Sequence, residues 1–120
     1  SSRTVMLALG MFYALSVAGA VQVAAGQGEH AAERLSQYRG LALARAAERS
    51  LNDGRPERAR EEMEAALRED GGRADFLVLY GEILARLGEH EAARAAYGRA
   101  RELPTANPWV RIRLAEEEAR

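Results

Sequence analysis

At 120 residues the chain accommodates one small core and an appendage, and is too short for two ordinary domains with separate cores. Its 17 basic and 18 acidic side chains leave a formal net charge of −1, so overall electrostatics do not draw it onto nucleic acid; the lack of cysteine excludes disulfides, thiolate metal sites and thiol nucleophiles. Abundant Ala, Arg, Glu and Leu with three prolines describe an all-α chain.

The first element is apolar. No charged side chain lies between Arg3 and Glu29. A helix rises ~1.5 Å per residue and the hydrocarbon layer is about 30 Å thick, so roughly 20 such residues span it. Residues 1–28 are therefore set apart as a hydrophobic helix, and three readings compete for it. A membrane anchor through residues 4–28 puts Arg3 on the cytoplasmic side and the remainder outside, a bias that Arg34 and Arg39 weaken. A filament core packs copies of this helix together, for which Gly10, Ala14 and Ala18, and Ala20 and Ala24, supply small residues at four-residue spacing. Such a subunit resembles bacterial pilins in layout, and Ser1 in place of methionine fits a processed mature end, but position 5 is Val and the run holds no Glu. A secretory signal accounts for Val23-Ala24-Ala25 as a cleavage pattern.

From residue 29 the pattern becomes amphipathic. Leu35, Tyr38, Ala42 and Ala46 share one stripe, with Leu41, Ala44 and Leu51 beside it. One helix is expected to extend to about Leu51, with Gly26, Gly28 and Gly40 as the places where it bends or breaks. Asn52-Asp53-Gly54 closes it, Pro56 opens the next helix, and Asp70-Gly71-Gly72 closes that one. Asp75 is expected to cap a helix over Phe76–Leu87, followed by one from Glu89 to Leu103 that stops at Pro104. Asn107-Pro108 starts the last helix, with Trp109, Ile112, Ala115 and Ala119 on the stripe expected to face the core, Val110 and Leu114 alongside, and Arg111, Arg113, Glu117 and Glu118 outside.

Offsetting the chain against itself exposes a repeat with a period of about 34 residues. At that offset Gly54 meets Gly88, Ala59 meets Ala93, Met63 meets Tyr97 and Ala66 meets Ala100. A glycine past the first helix, small residues where two helices approach, and one large residue a turn away resemble the tetratricopeptide repeat. The resemblance spans about Gly40 to Leu103. It is fullest where Tyr80-Gly81, Gly88, Ala93, Tyr97, Ala100 and Leu103 stand, and Ala46-Ala47 departs from the Leu-Gly of the family pattern. It implies a helix-turn-helix array over 29–120 with a capping helix, acting as a non-enzymatic protein–protein scaffold. The first helix of each unit would then line a groove through Leu41, Ala44 and Glu48, then Asp75, Val78, Glu82 and Arg86. Glu48, Glu82 and Glu116 would form an acidic ladder there, receiving an apolar or basic segment.

No residue set points to catalysis, a cofactor or a metal. His30 and His90 are the only histidines, and His90 sits in a turn where a polar residue is expected. Gly26-Gln-Gly28 lacks the further glycine and preceding strand of a phosphate loop. The paired carboxylates lie four residues from arginines, as in Arg58/Glu62, Arg60/Glu64 and Glu64/Arg68, and read as a solvated helix face. The expectation carried forward is a repeat scaffold on a single-pass anchor with its repeats outside the cytoplasm, binding protein partners or its own copies and no nucleic acid. An extracellular filament is the alternative.

Overall fold

The computed structural model describes residues 28–120. The expectations placed on Gly10, Ala14, Ala18, Ala20, Ala24 and Gly26, and with them the apolar run, lie outside these residues. The chain divides into two units, Ser1–Leu35 and Ser36–Arg120. Among the described residues every regular element is a helix, and none is long and apolar enough to cross a membrane.

Residues 28–52 are helical (α1), followed by α2 (Pro56–Glu69), α3 (Ala74–Arg86), α4 (His90–Glu102) and α5 (Pro108–Glu118). Gly40 does not break α1, which is helical without interruption on both sides of it. It is buried where the helix passes α2 and α3, and a Cβ there would rest 3.4 Å from Glu69 Cβ and 3.5 Å from the Phe76 ring. The packed face of α1 differs from the stripe expected of it. Gly40, Ala44, Ala47 and Leu51 are buried, whereas Tyr38 is 72% exposed and Ala42 also faces out. Both sets obey helical spacing, and the buried one is the set that packs with the buried Ala59, Met63 and Ala66 of α2.

The turns follow backbone chemistry. Gly54 and Gly88 adopt φ of +76° and +82°, the left-handed conformation that ends a helix at low cost only for glycine. Pro56 occupies the first turn of α2, and the Asp70 N–H closes that helix on the Ala66 carbonyl at 2.9 Å. Asp75 is not the cap of α3. That place falls to Arg73, and Asp75 sits in the first turn, where its carboxylate accepts the Phe76 N–H at 3.0 Å and two Arg73 hydrogen bonds at 2.8 and 3.0 Å. The Arg73 guanidinium also lies 4.5 Å from the centre of the Phe76 ring. Asn107 does cap α5, accepting the Trp109 N–H at 3.0 Å.

Helix α3 is apolar nearly all round because it is sandwiched. Phe76 and Ile83 join Ala44, Ala47, Leu51 and Met63 in one cluster, and Leu77, Val78 and Leu84 join Ala93, Tyr97, Ala100 and Val110 in another. Across α1 and α2, the buried Ser50 donates a 2.5 Å hydrogen bond to Glu62, meeting its polar requirement inside the fold.

The last helix docks through a different face from the one expected. Val110 is fully buried and Leu114 half-buried, while Trp109 is 43% and Ile112 58% exposed, with Ala115 and Ala119 also outward. Arg113, expected outside, turns toward α3 and pairs with Glu82 at 2.5 Å. The repeat register gives the reason. Val110 stands one repeat period after the buried Phe76, so α5 is placed as the first helix of a third unit. Its Ile112 and Ala115 correspond to Val78 and Gly81, which α4 covers; no second helix covers α5 among the described residues.

Candidate functional site

Two cavities meet in the unit Ser36–Arg120, sharing Leu51 and Glu82 in their walls. The first is bounded by α1, α3 and the start of α5. Leu41, Ala44, Leu79 and Trp109 give it an apolar lining, and Arg45, Glu48, Asp75 and Glu82 its charges. Two of these charges are answered already, Asp75 by Arg73 and Glu82 by Arg113. The second cavity lies among the last turns of α3, the exposed flank of α4 and the end of α5. Arg86, His90, Arg94, Arg101, Arg113 and Arg120 line it, against only Glu82 and Glu117.

Of the residues expected in the groove, Leu41, Ala44, Glu48, Asp75 and Glu82 come together in the first cavity. Val78 does not, because it is fully buried between α3 and α4. Arg86 stands in the second cavity, and Glu116 lines neither. The acidic ladder is interrupted: Arg113 donates to Glu82 at 2.6 Å and to Glu116 at 2.7 Å, so two of its three rungs share one guanidinium. Partial burial opposes the Arg113 charge, but the hydrogen bonds and charges of Glu82 and Glu116 prevail and raise its pKa above the usual arginine value.

The floor of the second cavity is Tyr97, 5% exposed, whose ring rests on Gly81: a Cβ there would stand 2.7 Å from the ring. Burial pushes the Tyr97 phenol up to about 12; Glu117 and Glu82 add to the shift, and Arg113 and Arg120 oppose it. At neutral pH it is therefore a protonated hydroxyl and no candidate base. Around it, Arg101 pairs with Glu118 at 3.0 Å and Arg120 with Glu117 at 3.6 Å. Among the described residues no ion pair involves Arg86 or Arg94, and no carboxylate and histidine cluster could hold a metal.

This arginine cleft is the feature that reading along the sequence passes over. Its residues come from three helices and are scattered along the chain. One signal was available: Arg86 and Arg120 are one repeat period apart, as are Arg60 and Arg94.

Residues 50–104 match the tetratricopeptide repeat family, a stretch that runs from the end of α1 through α4. The paired helices and glycine turns of that stretch agree with the match, so this part of the chain is similar to tetratricopeptide repeats. No curated protein and no solved structure matches the chain.

Proposed function

We propose that the chain is a non-enzymatic scaffold whose repeat unit holds a protein segment in the groove along α3, and that the uncharged run 4–28 attaches it to a membrane within an envelope assembly. Repeats of this family generally mediate protein–protein contacts, which supports the first half. The observation that carries it is the pair of adjoining cavities, which leave apolar side chains such as Leu41 and Leu79 and free arginines within reach of one ligand. The attachment rests on the length and lack of charge of residues 4–28 alone.

A photo-crosslinking amino acid at position 79, in the groove, is expected to capture a discrete protein partner in cells. The same group at position 61, on the exposed side of α2, is expected to capture none. Equal labelling from both positions, or none from 79, removes the groove as the binding surface.

A further inference from the structure

The two cavities differ in character, and the difference specifies a ligand. Resting on the groove reading above, we infer that the groove takes a short segment with an apolar end followed by an acidic end, lying along α3 with its acidic end toward Arg86.

The argument begins with charge. In the arginine cleft both wall carboxylates are occupied, Glu82 by Arg113 and Glu117 by Arg120, while Arg86 and Arg94 are exposed and without an acidic partner among the described residues. The cleft therefore has a positive surplus that its own walls do not cancel, and guanidinium groups present planar forks suited to carboxylates. In the adjoining cavity Asp75 and Glu82 are paired, and Arg45 and Glu48 contribute one charge of each sign, so no positive surplus remains; what it offers a ligand is Leu41, Leu79 and Trp109.

Length follows from helix geometry. From Asp75 to Arg86 the helix rises roughly 16 Å at ~1.5 Å per residue, a span that about five extended residues cover at ~3.3 Å each. Nucleic acid fits less well. It carries phosphates along its whole length, yet half of this groove has no positive surplus, and Tyr97, the one aromatic of the basic cleft, is too buried for a base to stack on it.

The test uses the full chain in detergent and fluorescence anisotropy with three acetylated, amidated octapeptides. One is Leu-Trp-Ala-Gly-Glu-Asp-Glu-Glu, the second replaces its acidic residues with lysine, and the third with serine; amidation removes any terminal carboxylate. The acidic peptide is expected to bind tightest, to weaken with salt, and to lose about tenfold in affinity with R86E/R94E. R86Q/R94Q should give a smaller loss. Both arginines are exposed, so the circular dichroism melt should not move, and L79S should weaken all three peptides.

If the lysine or serine peptide binds as well and is lost with L79S, the acidic assignment is overturned while the groove stands. If the acidic peptide binds but R86E/R94E leaves it unchanged, the cleft is not its site. No binding by any peptide, together with no capture from position 79, overturns both readings. A single-stranded oligonucleotide that outcompetes the acidic peptide would show the cleft to be a nucleic-acid site.

Discussion

At the scale of the residue, the two repeat units solve one packing problem with different pairs. Ala47 and Met63 in the first correspond to Gly81 and Tyr97 in the second, one period on, and all four are buried. The larger ring is matched by the smaller partner, which conserves volume at the helix crossing. Gly81→Ala is therefore expected to cost about 1–3 kcal/mol through the clash with the Tyr97 ring, even though alanine is the better helix former by roughly 1 kcal/mol. Tyr97→Met beside it reproduces the pairing of the first unit. A double-mutant cycle by urea unfolding should show the two changes coupled, with the double variant less destabilised than the single effects add up to; strict additivity would refute the pairing. Gly40 contrasts with Gly81, because a Cβ there meets its neighbours at ordinary contact distance.

At the scale of the element, α5 is held by the buried Val110 with Leu114 beside it, by the Arg113 bridge to Glu82 and by the Arg101–Glu118 pair. Arg113 and Glu82 side chains are 26% and 21% exposed, so the pair is more than a surface ornament, although solvent still screens it. Val110→Ala removes part of a side chain whose full burial stabilises by roughly 1.5–3 kcal/mol. Its expected signature in hydrogen exchange is faster exchange confined to Pro108–Glu118, with α2 and α3 protected as before. A uniform rise across all helices would mean that α5 is integral to the core and not docked onto it. Such a loosened α5 should also weaken the groove, since Trp109 lines one cavity and Arg113 and Arg120 the other.

At the scale of the whole molecule, α3 ties the unit Ser36–Arg120 together. Its two faces enter separate clusters, and Leu67 and Tyr80 pack against both. That arrangement lets so few repeats form a core, where arrays usually need about three. The attachment proposed for residues 4–28 also belongs to this scale. In a membrane fraction, alkaline carbonate and high salt are expected to leave the full chain in the pellet, and detergent to release it. Release by carbonate alone would refute the anchor and leave the groove reading untouched.

The helices and turns among residues 28–120 were legible in the sequence because local physics writes them there. Pro56, Asn107-Pro108, Gly54 and Gly88 act through their own φ values and caps, and the repeat period aligned Ala59 with Ala93 and Ala66 with Ala100 at positions that prove equally buried. What the sequence reading misplaced was which face of an amphipathic helix meets the core. In α1 and α5 two stripes satisfy the same helical spacing, and the choice fell to Gly40, Ala44 and Ala47, and to Val110, only once a neighbouring helix supplied the surface to be matched. The arginine cleft was decided in the same way. Arg86, Arg94 and Arg113 are ordinary solvated charges along the chain, and become one site because α3, α4 and α5 fold their flanks around a shared cavity.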